Sequence, residues 1–152
     1  MEAIVVGDMR RRRSTVATAL AGVLAVDALC HLYWTTGATW PAADTTALSQ
    51  AVLNADVPFT PPVLLPLVGL LGGASVLVLA RGKVVRLPLP AEVPRWATRA
   101  VAAGLSVRAA AGLVWASGSG TPPDPAFHLL NIALYTPVCL VGAAAAWWLA
   151  HD

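Results

Sequence analysis

The sequence has 152 residues, of which 57% are apolar and only 12% are charged. A soluble domain of this size carries about 25% charged residues, so the composition excludes an ordinary soluble enzyme, a disordered chain and a nucleic-acid-binding arm. The net charge of +2 is small, but its placement along the chain is uneven. The length allows one domain, so the first question is how often the chain crosses a bilayer.

Four apolar windows are long enough to cross a hydrocarbon core, which needs about 20 helical residues. A spanning segment must satisfy its own backbone hydrogen bonds in lipid, so each window is predicted to be a helix. The sequence therefore predicts an all-α fold, an integral membrane four-helix bundle. The predicted spans are residues 14–34, 61–80, 97–117 and 126–150, of which the third is the least hydrophobic.

Cationic residues predict the orientation of these spans. Nine of the ten Lys and Arg residues lie at 10–13 or between residues 81 and 99, and the connections 35–60 and 118–125 contain none. The positive-inside rule then places both termini and the 81–96 loop in the cytoplasm, as in a multi-pass protein of the bacterial inner (plasma) membrane. The first window has the outline of a signal peptide, but Asp27 interrupts it, and we expect it to be retained.

Both cysteines, Cys30 and Cys139, lie in apolar windows without CxxC spacing. This favours buried, apolar cysteines over a disulfide or a zinc site.

Ionisable residues at membrane depth are the first candidates for a functional site. Asp27 lies roughly 10 Å below the outer boundary, at 1.5 Å per residue, and His31 follows it at i+4 on the same helix face. Arg108 lies roughly 13 Å deep in the third span by the same rise. In the fourth span His128, Asn131 and Tyr135 follow i, i+3, i+7 spacing.

Two interpretations of these six residues remain open. In the first, Asp27 and Arg108 form an ion pair, and Asn131 and Tyr135 hydrogen-bond across the bundle as structural contacts. In the second, the same groups line a pocket in the outer half of the bundle. Pro66 and Pro137 are placed to bend their helices and widen that half. The outer loop 35–60 contains the stretch ALSQAVL, which suggests a short helix lying over the pocket as a lid.

Several blocks of sequence carry a resemblance: HLYW at 31–34, GATWPAAD at 37–44, PP at 61–62, Arg108 with Gly112, and YTPVCL at 135–140. With these the chain resembles the family of small bacterial four-span proteins known as domain of unknown function 3995, over nearly its whole length from about residue 15. The resemblance implies a four-helix membrane fold and no established reaction. In that family the stretch before the Tyr-x-Pro motif often reads Leu-Asp-Arg-Arg, whereas residues 130–133 here read LNIA, which suggests a different ligand.

The sequence lacks the motifs of serine hydrolases, zinc peptidases and nucleotide-binding loops. Our leading hypothesis is an isomerase or cyclase that acts by proton transfer on a lipophilic, isoprenoid-bearing or polyketide-type metabolite, without metal or cofactor. Asp27, His31 and Arg108 are the predicted catalytic residues. Aromatic faces would stabilise developing positive charge. The predicted substrate-binding residues are Tyr33, Trp34, Trp40, Trp115, His128, Asn131 and Tyr135.

The alternative is a non-enzymatic membrane protein, such as a ligand-binding, accessory or transport subunit, in which the polar cluster is structural. Under either hypothesis the expected partners are a lipophilic small molecule and membrane lipid, with no nucleic acid. A metal site built on Asp27, His31 and His128 is the least favoured option, because catalytic zinc usually has tighter ligand spacing.

Overall fold

The computed structural model describes residues 2–118 and 123–151, and all regular structure in these ranges is helical. This confirms the all-α prediction. A π-helical turn, Asn131–Tyr135, joins the last two helices. The helices are α1 (Glu2–Trp34), α2 (Thr45–Leu53), α3 (Pro61–Arg81), α4 (Glu92–Ala116), α5 (Pro125–Leu130) and α6 (Thr136–His151).

Within the described ranges, three helical segments are long and apolar enough to cross a membrane, namely Gly7–Trp34, Pro61–Arg81 and Pro125–His151. The chain is therefore a membrane protein with the character of a helical bundle. The predicted third span forms α4, which has 25 residues but is not one of these three segments. The reason is its charge, since Glu92, Arg95, Arg99 and Arg108 all lie within it.

The first helix begins twelve residues before the predicted span, at Glu2 rather than at residue 14. Within this extension Arg12 donates from Nε to the Asp8 carboxylate at 2.9 Å, one helical turn away. Such an i, i+4 pair supports a helix that is not apolar. Hydropathy predicts only the apolar part of α1 and misses its charged first turns.

The four long helices pack as a closed ring, in which α1 contacts α3, α3 contacts α4, α4 contacts α6 and α6 contacts α1. Small side chains let the backbones approach closely. Many large apolar side chains instead point outward, as a lipid-facing surface requires; Val107 and Val141 are each 71% exposed. The buried core consists of Ala17, Leu20, Ala21, Leu24, Val78, Ala102, Ala146 and Leu149.

Arginine side chains meet the end of α6 at one end of the bundle, which we call the basic end. Arg13 of α1 donates to the carbonyl of Leu149 at 3.0 Å, and Arg81 of α3 donates to that of Ala150 at 3.4 Å. The last carbonyls of a helix carry partial negative charge, so these two cations stabilise the end of α6. The contacts also join α1 and α3 to the end of α6.

The opposite end, which we call the far end, is covered by α2 and α5. Asp44 begins α2 by accepting a hydrogen bond from the Ala47 amide at 2.8 Å, and Asn54 ends it in the left-handed conformation. Helix α2 packs on α5, and Asn54 accepts a hydrogen bond from the Asp124 amide at 3.0 Å. The ALSQAVL stretch thus forms a helix over the far end, where the sequence suggested one.

Candidate functional site

Asp27 and His31 form a pair on α1. The His31 Nδ1 atom lies 3.2 Å from the Asp27 carboxylate and 2.8 Å from the Asp27 backbone carbonyl oxygen. The His31 side chain is 9% exposed, whereas the Asp27 side chain is 51% exposed on the surface of the bundle. An acidic group facing outward is thus coupled to an imidazole facing inward.

Aromatic rings follow His31 towards the far end. The Trp34 ring lies edge-on to the imidazole, with 5.1 Å between centroids, and Phe59 contacts Trp34 at 5.7 Å. The Trp34 indole donates to the carbonyl of Trp40 at 3.2 Å, which holds the loop between α1 and α2 against α1. Trp34 also packs on the cluster of Leu48, Phe59 and Leu64 beneath α2.

Arg108 belongs to a second polar group, which joins α4 to the π-helical turn and α6. Its Nη1 atom donates to the Asn131 side-chain oxygen at 3.2 Å, and Thr136 donates to the same oxygen at 3.1 Å. The Asn131 amide nitrogen donates to the Gly112 carbonyl at 2.8 Å. Asn131 is fully buried, and its side chain is satisfied on both sides.

Three aromatic rings surround the Arg108 guanidinium. Its central carbon lies 5.2 Å from the Trp115 ring, 5.8 Å from Phe127 and 5.4 Å from Tyr135. Each distance is within the range of a cation–π contact. The Tyr135 hydroxyl donates to the carbonyl of Ala51 in α2 at 3.4 Å, so this group is tied to the covering helix.

The π-helical turn sets the register of this group. Pro137 has no amide proton, and its ring clashes with a carbonyl four residues earlier in an α-helix, which is that of Ala133. The turn absorbs one extra residue just before the proline, so Asn131 and Thr136 meet at a separation of five residues. A π-helical turn thus lies directly before Pro137, and such turns are frequent at functional sites.

The two groups are neighbours without a direct ion pair. Among the described residues, the carboxylate of Asp27 pairs with His31, and no ion pair within 4.0 Å joins Asp27 to Arg108. Both groups contact α2, the first through Trp34 and Leu48 and the second through Tyr135 and Ala51. The ion pair between Asp27 and Arg108 that the first interpretation predicted is therefore not formed, and Arg108 contacts Asn131 and aromatic rings instead.

Some predicted site residues lie at the edge of these groups. Tyr33 is 46% exposed, and Trp40 is 74% exposed and contacts Trp34 through its carbonyl. His128 is half-buried in α5, and its buried Nδ1 atom has no hydrogen-bond partner among the described residues. Both cysteines are free; Cys139 is buried as predicted, but the prediction for Cys30 is wrong, since it is exposed on the outward face of α1.

Three residues of the site were missed from the sequence. Gly112 supplies a carbonyl, Thr136 a hydroxyl and Phe127 a fully buried ring. Phe127 lies one residue from a predicted position, so an aromatic scan of the span would have found it. Thr136 has no such signal, because it joins the site only through the π-helical register.

Two grooves are present at the basic end, one between α1 and α6 and one beside the 82–91 loop. Neither touches Asp27, His31 or Arg108. In the part of the chain that the structure describes, no three His, Cys, Asp or Glu side chains cluster as metal ligands.

Comparison with known proteins gives one match. A family described as "Protein of unknown function (DUF3995)" matches residues 24–146, which include both polar groups. No curated protein matches the chain. No solved structure matches it either.

Proposed function

Since the chain belongs to this family of unknown function, whose match includes the whole candidate site, we propose its activity from the site itself. We propose an isomerase or cyclase that moves protons to and from a lipophilic small molecule in the membrane. The observation that supports this most is the Asp27–His31 pair, an acid and an imidazole 3.2 Å apart on a helix long and apolar enough to cross a bilayer.

The contacts of His31 suggest the direction of proton transfer. A carbonyl and a carboxylate only accept hydrogen bonds, so the proton of a neutral imidazole lies on Nδ1, which faces both. The Nε2 atom then carries the lone pair and acts as the base. Asp27 orients the ring and stabilises the imidazolium that forms when His31 takes a proton.

The surroundings suggest a substrate with an apolar body and an oxygen-bearing group. The exposed side of Asp27 faces the lipid-exposed surface, through which an apolar molecule enters. Arg108 uses Nη1 for Asn131 and has other N–H donors for a carbonyl or anionic oxygen. The rings of Trp34, Trp115 and Tyr135 would stabilise positive charge on the substrate.

The same proposal includes the topology. We propose four spans in the bacterial inner membrane, with α4 as the third and with both termini in the cytoplasm. Helix α4 has 25 residues, or about 37 Å at 1.5 Å per residue, and it packs between α3 and α6. The charge at the basic end supports this orientation by the positive-inside rule.

A second function, a non-enzymatic ligand-binding or accessory membrane protein, is favoured by a different observation. The Asn131 side chain connects Arg108, Thr136 and Gly112, so much of this polar group is satisfied within the bundle. Contacts of this kind also hold transmembrane helices together without any activity. In that case Asp27 and His31 bind a molecule without transforming it.

One experiment separates these functions. Protein purified gently in detergent is extracted, and the small molecules retained are identified by mass spectrometry. The retained compound is then incubated with fresh protein in D2O, because proton transfer to carbon introduces deuterium whatever the product. We expect labelling by the wild type and none by Asp27→Asn or His31→Gln. Asp8→Asn makes the same chemical change elsewhere on α1 and should label normally.

The outcomes differ for the two functions. A compound that is retained and never labelled supports the binding protein and excludes proton transfer. Labelling by Asp27→Asn at the wild-type rate removes the carboxylate from the mechanism. If the wild type retains no compound while Asp27→Asn and Arg108→Ala are as stable as it is, the accessory role is favoured.

A further inference from the structure

The groove between α1 and α6 lies at the basic end, away from the candidate site. Its volume is about 690 Å³, and it is shallow and widely open. The two helices that form it are neighbours in the ring of four. The groove is therefore a feature of the bundle surface, and none of its lining residues belongs to the polar groups described above.

One wall of the groove is a single face of α1. Asp8, Arg11, Arg12, Thr15 and Val16 line it, with i, i+3, i+4, i+7, i+8 spacing. Asp8 neutralises part of the charge, since it accepts from Arg12 at 2.9 Å. Arg11 forms no ion pair with any described residue, so the wall is cationic at one end and apolar at the other.

The other wall is one face of α6, formed by Val141, Ala145 and Trp148 at i, i+4, i+7. Trp148 lies at the level of the arginines, and Val141 lies deeper. At 1.5 Å per residue the seven residues between them correspond to about 10 Å of depth. Tryptophan is typical of the headgroup level of a membrane, so the groove runs from headgroup level into the acyl region.

We propose that this groove binds an anionic phospholipid, with the phosphate on Arg11 and Arg12 and an acyl chain along Val16 and Val141. Cationic grooves between membrane helices match the negative headgroups of the cytoplasmic leaflet. The Thr15 hydroxyl donates to the Arg11 carbonyl at 3.0 Å and keeps lone pairs for a headgroup hydroxyl. This site is separate from the proposed proton transfer and stands or falls independently of it.

Charge complementarity favours a lipid over a second copy of the chain. A symmetric dimer through this groove presents the same surface from both copies, so Arg11 and Arg12 would face their own counterparts. Like charges brought together at an interface are unfavourable. An anionic headgroup removes that repulsion, and its acyl chain covers the apolar part of the groove.

The test is native mass spectrometry of the full chain in detergent, titrated with dioleoylphosphatidylglycerol or dioleoylphosphatidylcholine. We expect the anionic lipid to bind more tightly. The double variant Arg11→Gln/Arg12→Gln should weaken its binding about 10- to 30-fold. Lys83→Gln/Arg86→Gln removes two charges from the same end outside the groove and should leave binding within about twofold of wild type.

A second pair of variants tests the apolar wall. Ala145→Trp fills the groove without a change in charge and should reduce lipid binding, whereas Ala144→Trp, on an exposed position beside it, should not. Equal binding of the two lipids overturns the proposal, as does an equal loss in both charge variants. A dimer that disappears only in Ala145→Trp, with lipid binding unchanged, would assign the groove to a second copy.

Discussion

At Gly112, helix α4 approaches the start of α6 so closely that a side chain has no room. A Cβ atom there would overlap the Thr136 hydroxyl and lie 3.0 Å from the Asn131 side-chain oxygen and 3.1 Å from the Thr136 Cβ. The Thr136 Cβ is fixed to the backbone, so it cannot move aside without moving α6. The glycine therefore determines whether Asn131 reaches the α4 carbonyl.

We expect Gly112→Ala to destabilise the bundle by about 1–3 kcal/mol, because an overpacked contact must push the two helices apart. Thermal unfolding in detergent, followed by tryptophan fluorescence, measures this loss. Gly104→Ala on the same helix is the control, since a Cβ there meets no atom within 4 Å. Its better helix propensity should leave stability equal or higher. Equal losses in both variants would contradict this interpretation of Gly112.

Two substitutions of Asn131 test how much the contacts of its side-chain oxygen stabilise the bundle. Asn131→Leu keeps the branching and the number of side-chain heavy atoms but loses the contacts to Arg108, Thr136 and Gly112, so we expect a loss of about 2–3 kcal/mol at roughly 0.6–1 kcal/mol each. Asn131→Asp keeps an acceptor for Arg108 and Thr136 but turns an oxygen towards the Gly112 carbonyl. Its loss in thermal unfolding at neutral pH should be clearly smaller. Equal losses would contradict a stabilising role for the acceptor that Arg108 and Thr136 share.

At the scale of the element, the fourth predicted span differs from the structure in its helix type. The apolar window 126–150 predicts one helix, and the structure has α5, a π-helical turn and α6 over the same region. The i, i+3, i+7 spacing of His128, Asn131 and Tyr135 assumes an unbroken α-helix. Asn131 and Tyr135 both contact Arg108. Thr136 donates to the Asn131 side chain, and it can do this because the π-helical turn contains one extra residue.

Helix α2 depends on the residue that caps its start. Asp44 satisfies the Ala47 amide, and loss of such a cap costs about 1 kcal/mol. We expect Asp44→Ala to increase hydrogen exchange in residues 45–53 while the exchange of α3 and α6 is unchanged. Mass spectrometry of peptides from the detergent-purified protein measures this. Asp56→Ala removes the same charge just beyond the other end of α2, and faster exchange of residues 45–53 in that variant would show that charge, rather than capping, is responsible.

For the whole molecule, composition and periodicity predicted the fold better than the site. The bounds 61–80 and Pro61–Arg81 agree because prolines begin that helix and charge ends it. The i, i+4 pair of Asp27 and His31 was also predicted, since both lie on one helix. The partners of Arg108 could not be predicted from the sequence, because they depend on how α4 is rotated against its neighbours. That rotation depends on close contacts at small residues such as Gly112, which hydropathy does not reveal.

Charge placement along the chain leads to the last prediction, the orientation of the bundle. Arg10, Lys83 and Arg86 line a groove at the basic end, whereas α2 covers the far end and contains no cationic residue. We expect the basic end to face the cytoplasm. Two reporter cysteines, Lys83→Cys and Thr46→Cys, are placed singly at exposed positions of the two ends, in a chain with Cys30→Ser and Cys139→Ala.

A maleimide that cannot cross the inner membrane should label the Thr46→Cys variant in intact cells. The Lys83→Cys variant should be labelled only after lysis, because its thiol lies on the cytoplasmic side. Labelling of both variants in lysed cells is the control for reactivity. The reverse pattern in intact cells would invert the bundle. The lipid groove would then lie in the leaflet away from the cytoplasm, where anionic headgroups attract Arg11 and Arg12 less strongly.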